Sequence, residues 1–485
     1  MTKIDFVVLA VYLSSVLLTG IFVSRKREQN FSEFFTTNRS MNWFTIGLSV
    51  MVTAFSAVNY TGFSGEVFSH GLYVFLCLPV FILVALPVNK IIIPYFYNQK
   101  YTTAYEYLEK KFDKKVKHLA AFLFIVWRVF WSATILYIPT NILSLITGWN
   151  LYGIIMVVGF SVLIYTTYGG IRAVMITDTI QFFVLFIGLI IGIITVANKF
   201  DGGLPGIISL AVDNGLAKPF VPFDPQLFSF DPSIRITFWS CTIGTFVAFL
   251  ARYSSDQMVV QRYFTAKTLK DATRGFTLNV VSIIVSLFIL ALLGYVIFSH
   301  AYLNDTLGKF NKPLVYFVKF VRSLPTGVSG IIIAGLIAAT MSSIDSGANS
   351  CTQVWIADFL ELRGKREIDL KESRIFSIIF GLLIIFLSLF VGKLGSIFEV
   401  ANKIINGFGS PLLALFILGI YSKKTSSRGV FIGGICGAII SVFISLFIKN
   451  LALHYYAVVN LGVTLTLCFI FSKIDKVSNN IINRR

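Results

Sequence analysis

The sequence predicts an all-α polytopic membrane protein with about thirteen transmembrane helices. Three observations carry this reading. Of 485 residues, 56% are hydrophobic and only 13% are charged, against about 25% charged in an ordinary soluble domain, and mean hydropathy is +0.80. Apolar runs recur at lengths near the roughly 20 residues that cross a hydrocarbon core as a helix, a structure that satisfies its backbone hydrogen bonds internally. Basic residues, finally, collect in alternate connections. The composition excludes a cytosolic enzyme with a charged surface.

In order, the expected segments lie near 4–24, 41–68, 71–98, 117–146, 150–168, 172–197, 235–264, 274–301, 326–358, 373–392, 402–422, 427–448 and 452–472. An odd count puts the termini on opposite sides. With the amino terminus outside and the carboxyl terminus cytoplasmic, inner connections gather 26 of the 41 Lys and Arg residues and outer connections 11. The inner set runs from Arg25, Lys26, Arg27 and Arg39 through Lys100 and Lys110 to Arg363, Lys365, Arg366, Arg484 and Arg485, whereas Lys218 and Lys449 belong to the outer set. This is the positive-inside pattern, and one missed segment would invert every later connection. The net charge of +18 is therefore topological. A multi-pass cell-membrane protein surrounded by lipid is expected, with no nucleic-acid partner and with a single chain sufficient for function.

The first run lacks a basic n-region and a small-residue cleavage site, so it reads as a span rather than a signal peptide. Connections 198–234 and 302–325 fall outside and read as an extracellular cover without a recognisable domain. Cys77, Cys241, Cys351, Cys436 and Cys468 sit inside apolar runs with no CxxC pair, which indicates neither a disulfide framework nor a thiolate metal site. His70, His118, His300 and His454 show no HExxH spacing.

Two segments are chemically unusual. The second reads SVMVTAFSAVNYTGFSGEVFSHG, gathering Ser, Thr, Asn and Gly between Ser49 and Gly65 at mid-bilayer depth. Such sequence marks either unwound backbone lining a cavity or close helix packing through small residues. The ninth contains AGLIAATMSSIDSGANSCTQVWIADF, where Ser342, Asp345 and Ser346 are spaced i, i+3, i+4 and share one helical face. Hydroxyls and a carboxylate on one face offer hard oxygen ligands to a small cation; a serine-rich face alone is equally a packing device. A mid-membrane Asp is costly and usually functional. Asp178, six residues into the segment that begins at Arg172, is a second carboxylate able to reach the same region. Asp256 reads as a cap or as a partner of Arg262, and Glu66 and Asp358 read as structural.

Together, YTxxGGxxAVxxTDxxQ (Tyr165 to Gln181), the Gln261–Arg262 pair followed by Tyr263, the SSIxS run from Ser342 and GSPLLALFILGIY (Gly409 to Tyr421) resemble the sodium/solute symporter family, in order and over nearly the whole chain. The resemblance implies a LeuT-like core of two inverted five-helix repeats, 41–197 and 235–422. An extra amino-terminal helix with its loop occupies 1–40, an external connection 198–234, and two further helices with a tail 423–485. It implies Na+ as the coupling ion, held at a principal site by backbone carbonyls at Val52 and Phe55 and by oxygens of Ala339, Ser342 and Ser343. A second sodium site would use Asp178, Ser342, Asp345 and Ser346. Asp345 departs from the commoner small residue, and an added carboxylate there strengthens sodium binding, holds a proton or pairs with a cation.

For the substrate, Ser56 and Asn59 match family positions that touch solute, and FSAVNYTGFSGEVFSHG is similar to a stretch of the sodium-coupled monocarboxylate and vitamin branch. Where the sialic-acid branch carries an arginine on the third core helix, this chain has Trp131, with Arg128 one turn earlier, and the polar amide of that branch's second core helix aligns with Leu78. Arg128 and Arg252 lie near mid-membrane, where a guanidinium suits a carboxylate, although each alternatively pairs with a buried acid such as Asp256. The apolar stretch Phe75 to Leu78, taken to face the cavity, favours an organic monocarboxylate; sugars, polyols, sialic acid and amino acids stay open. A sodium-permeable channel lacks a repeated filter or pore charge ring, and a membrane enzyme lacks a nucleophile–base or metal constellation.

Overall fold

The computed structural model describes residues 2–24, 31–99, 101–216, 225–310, 312–360, 370–394, 397–448 and 450–482. Of the basic residues used for topology, Arg25, Lys26, Arg27, Lys100, Lys218, Arg363, Lys365, Arg366, Lys449, Arg484 and Arg485 lie outside the described residues. In chain order the helices are α1 (Lys3–Ser24), α2 (Phe31–Thr36), α3 (Trp43–Ala54), α4 (Ala57–His70), α5 (Leu78–Pro87), α6 (Ile93–Gln99) and α7 (Glu106–Lys111). They continue as α8 (Lys114–Thr147), α9 (Leu151–Ala197), α10 (Gly203–Asp213), α11 (Thr245–Ser255), α12 (Gln257–Phe264) and α13 (Leu269–Leu303). The last are α14 (Pro313–Ser323), α15 (Val328–Val354), α16 (Leu370–Val391), α17 (Ile397–Tyr421), α18 (Ser427–Phe447) and α19 (Tyr455–Ile482). Among the described residues the only extended pairing is an isolated bridge between Met41 and Ala266.

Nine helical runs among the described residues are long and apolar enough to cross a bilayer. Each of the expected segments nevertheless falls on a helix or a helix pair, because two runs contain more than one segment and others are broken. The 47 residues of α9 would extend roughly 70 Å at 1.5 Å per residue, about twice a bilayer core. It kinks at Gly170, whose φ of 50° and ψ of −160° belong to a region essentially restricted to glycine. That kink separates the expected fifth and sixth segments. Likewise the apolar run 57–99 divides at Gly71, with φ 71°. The second and seventh segments are pairs of short helices, α3–α4 and α11–α12, so neither is one uninterrupted span.

The described parts of connections 198–234 and 302–325 hold more regular structure than a simple cover. Each carries an eleven-residue helix, α10 and α14. Pro313 opens α14 at a position where its missing N–H costs nothing, and Tyr316, Phe317, Phe320 and Val321 are buried against the bundle. At its end Arg322 donates to the carbonyl of Ile146 at 3.2 Å.

The centre of the bundle is α15, buried continuously from Ile332 to Val354 and touching α1, α3, α8, α9, α12 and α16. Its start is fixed by α1: the Asp5 carboxylate accepts from the N–H groups of Gly327 at 2.8 Å and Gly330 at 3.0 Å. This satisfies donors that a helix amino terminus leaves free and places negative charge at the positive end of the helix dipole.

Candidate ion and substrate sites

The polar second segment is a broken helix. Regular α-helix stops at Ala54, where Phe55 (φ −99°, ψ 91°) and Ser56 (φ −88°, ψ 169°) are extended, and resumes at Ala57. Against this break lies the serine face of α15. The Ser342 hydroxyl donates to the carbonyls of Val52 at 3.3 Å and Ala339 at 3.2 Å. The Ser343 hydroxyl reaches those of Thr53 at 3.4 Å and Ala339 at 3.2 Å. Val52, Ala339, Ser342 and Ser343 are thus brought together, with Thr53 joining them. Phe55 participates through its N–H, which donates to Met51 at 2.8 Å and Val52 at 3.2 Å. Three carbonyl and two hydroxyl oxygens converge here through long hydroxyl hydrogen bonds, a chemistry suited to a small hard cation.

One helical turn away, the remaining predicted ion residues form a network with a cation of its own. Asp178 accepts from Ser49 at 2.5 Å, Thr53 at 3.4 Å and the Arg262 guanidinium at 3.1 Å. Arg262 also donates to Ser49 at 2.7 Å and Ser346 at 2.5 Å, and Thr53 and Ser346 share a hydroxyl contact of 3.1 Å. Asp345 accepts from the Tyr165 hydroxyl at 2.5 Å and from the Ser346 N–H at 2.5 Å. Arg262 and Asp178 are both fully buried. Arg262 therefore partners Asp178, and of the two roles expected for Asp256, a cap or a partner of Arg262, the second does not hold.

Asp256 does cap a helix, accepting from the Met258 N–H at 3.1 Å across the break between α11 and α12. Its ion pair is with Arg128: the guanidinium Nε donates at 3.0 Å, and both side chains are fully buried. Arg128 also lies 4.3 Å from the centre of the Trp127 ring. Of the two roles expected for Arg128, a substrate contact or a pair with a buried acid, the structure holds the second, with the acid contributed from another part of the chain. Glu66 is bonded to Arg235 at 2.6 Å and Asp358 accepts from Thr103 at 2.9 Å, contacts of the kind the structural reading of both anticipates.

A cavity of about 290 Å³ opens beside the helix break. Asn59, Trp131 and Arg252 line it, together with Phe55 and the Glu66–Arg235 pair. Ser56 and Arg128 do not; the Ser56 hydroxyl is buried without a partner among the described residues. Of the stretch Phe75 to Leu78 only Cys77 faces the cavity, flanked by Val74 and Phe81. The Ala54 carbonyl, freed by the break, accepts from Arg252 at 3.2 Å and Asn59 at 3.4 Å.

The family model of the sodium:solute symporter family matches residues 34–437. The chain belongs to the sodium:solute symporter family. It is 28% identical to the sodium-coupled monocarboxylate transporter 2 of Mus musculus over 91% of this chain and 72% of that one. It is 30% identical to the sodium-dependent multivitamin transporter of Oryctolagus cuniculus, over 91% and 70% of the two chains. A sodium/sialic acid symporter of Proteus mirabilis is 28% identical over 94% of this chain and 92% of its own. In structure, the chain is similar to a substrate-bound, outward-open Na+-coupled sialic acid symporter, with TM-score 0.86, 24% identity and 98% of each chain covered. The fold is therefore LeuT-like and the coupling ion is sodium.

Sequence reasoning missed Ser49, Thr53, Tyr165 and Arg262 as members of this buried polar network. Ser49 and Thr53 carry a legible signal, since polar residues four apart on an apolar helix share a face.

Replacing Arg128 by Gln strands Asp256 as an unpaired charge in a dry interior. The purified variant should lose about 3–5 kcal/mol of stability, with part recovered by adding Asp256→Asn. Thermal unfolding of the two variants tests this, and an undiminished melting temperature for Arg128→Gln would rule out a structural pair.

Proposed function

We propose that this symporter imports a small organic anion of the monocarboxylate class together with sodium, by alternating access. The observation that carries the substrate class is the charge balance of the cavity. Glu66 neutralises Arg235, whereas no salt bridge within 4.0 Å engages Arg252 among the described residues. Among the described residues Arg252 reaches a backbone carbonyl and the face of Phe249, 5.9 Å from the ring centre. A guanidinium in a low-dielectric cavity favours an anionic guest and binds a carboxylate with charge-assisted hydrogen bonds. Monocarboxylate transport by relatives of this name agrees with that chemistry. Asn59 and Trp131 would complete the contact surface.

Sialic acid is the second reading, favoured by the relative from Proteus mirabilis. It also carries a carboxylate, so Arg252 does not discriminate. Thr245 and Asn406 on the cavity wall could meet some of its hydroxyls, but Phe63, Val74, Phe81, Phe249 and Leu287 make most of the remaining wall apolar, which favours the less hydroxylated solute.

Sodium would bind principally at the carbonyls of Val52, Phe55 and Ala339 and the hydroxyls of Ser342 and Ser343. A second sodium at Asp178, Ser342, Asp345 and Ser346 would compete with the Arg262 guanidinium for Asp178 and Ser346 oxygens. Residues 41–197 and 235–422 would form the repeats that move against each other. The chain would act as a monomer in the lipid bilayer, without a catalytic step, with its amino terminus outside and its carboxyl terminus cytoplasmic.

Reporter fusions to the two ends test the topology, which requires the termini on opposite sides. Ser343→Ala removes a ligand that a dry site cannot replace with water. The sodium concentration for half-maximal uptake should rise several-fold and, by linkage, substrate affinity at fixed sodium should fall; unchanged sodium activation would exclude the assigned site. Arg252→Gln keeps a donor for Ala54 while deleting the charge. Binding of a carboxylic acid should weaken by about one to two decades, the equivalent of roughly 1.5–3 kcal/mol, with binding of its amide little changed. Equal losses for acid and amide would overturn the anion reading.

A further inference from the structure

At one edge of the cavity three soft side chains converge that no spacing in the sequence brings together. Cys77 ends the 3₁₀ turn that leads into α5, Cys241 sits in the π-helical turn Ser240–Gly244 before α11, and His454 immediately precedes α19. One ligand atom from each lies within 4.8 Å of the other two. Thr245 bridges two of them, its hydroxyl donating to the Cys77 sulfur at 3.4 Å and lying 3.3 Å from Nδ1 of His454. The close approach depends on Gly244, where any Cβ would collide with the carbonyl of His454.

We propose that Cys77, Cys241 and His454 form a binding site for a soft or borderline divalent cation of the Zn2+ class. Two thiolates and one imidazole are a known Zn2+ donor set, one that leaves a fourth coordination position open. Around a tetrahedral Zn2+, with bonds of about 2.3 Å to sulfur and 2.0–2.1 Å to nitrogen, the ligand atoms lie roughly 3.5–3.8 Å apart. Side-chain movements of about 1 Å convert the observed cluster to that geometry. Sulfur and imidazole donors select such a cation over sodium and other hard cations.

Charge and access both suit the assignment. Cys241 is fully buried and Cys77 only 7% exposed, so two lone thiolates would be costly. With one Zn2+ the group is neutral, and the two thiol protons leave to water as the ion binds. Cys77 and His454 both line the water-accessible cavity, which gives the ion a path in. Isolated buried cysteines ordinarily serve as small apolar side chains. Packing alone does not call for two of them to meet an imidazole contributed by a third segment, beside a hydroxyl that hydrogen-bonds the group.

The test uses tag-free purified protein, stripped with a chelator and dialysed against Zn2+, with metal per chain counted by atomic emission. About one Zn2+ per chain is expected, with a Zn2+-dependent rise in melting temperature that the chelator reverses. C77S and H454Q should each weaken binding at least about tenfold, since even supporting residues around a metal contribute that much. Co2+ in place of Zn2+ should give thiolate-to-metal absorption in the wild type, weaken it in C77S, where the Cys241 thiolate remains, and abolish it in C77S/C241S, which reports the ligands even if one variant is less stable. Equal Zn2+ uptake by wild type and a well-folded C77S/C241S protein would overturn the site. So would mass spectrometry that finds Cys77 and Cys241 joined as a disulfide in the purified protein. None of these measurements involves sodium or substrate.

Discussion

Backbone released from a helix in the middle of a membrane has to find other partners, and this constraint organises the centre of the molecule. Between Ala54 and Ala57 the chain is extended, so carbonyls at the end of α3 lose the N–H donors that a continuing helix would supply. In hydrocarbon each would cost several kcal/mol if left alone. They are met instead by the Phe55 N–H, which turns back to Met51 and Val52, and by side chains: Ser342 and Ser343 from α15, and Asn59 and Arg252 beside the cavity. The break is tolerated because α15, buried along most of its length, presses a row of small polar residues against it.

The buried ion pairs follow from the same economy. Arg262 ties α12 to Asp178 on α9 and to Ser346 on α15, and Arg128 ties α8 to the Asp256 break between α11 and α12. Each guanidinium crosses between elements far apart in sequence. Desolvation makes such pairs weak sources of net stability, yet removing one partner is expensive. They therefore act chiefly as registration devices, fixing how the two broken helices sit on the rest of the bundle.

The hydrophobic runs, the broken second segment and the serine face of α15 were legible because each is local: a run length, a cluster of polar residues at depth, an i, i+3, i+4 spacing. Asp178 was legible because a mid-membrane carboxylate is rare. The partners of the charges were not. Arg128 and Asp256 are separated by 128 positions, and which acid an arginine meets depends on rotations of α8 and α11 that a single sequence does not encode in any short pattern. Arg128 and Arg252 look equivalent by depth, yet one is consumed by an acid and the other faces the cavity. The convergence of Cys77, Cys241 and His454 was hidden for the same reason, since their elements meet only in the folded bundle. The eleven-residue helices α10 and α14 were missed because their apolar faces are shorter than a span and sit in connections rich in glycine, proline and charge.

On the proposed reading, the geometry of the break also supplies the coupling between ion and solute. Val52 and Thr53 offer their carbonyls toward Ser342 and Ser343, while the next carbonyl, that of Ala54, holds Arg252 and Asn59 at the cavity. Successive peptide groups of one turn thus serve the two sides. A cation that draws the first two carbonyls into its coordination shell fixes the orientation of the third, and with it the side chains that meet the solute. An anion that engages Arg252 likewise restrains the same turn and lowers the entropic cost of assembling the ion site. Because both ligands stabilise one conformation of one short stretch of backbone, each must strengthen the binding of the other by the same factor. No longer relay is required, and the extended residues Phe55 and Ser56 are where that reciprocity is physically located.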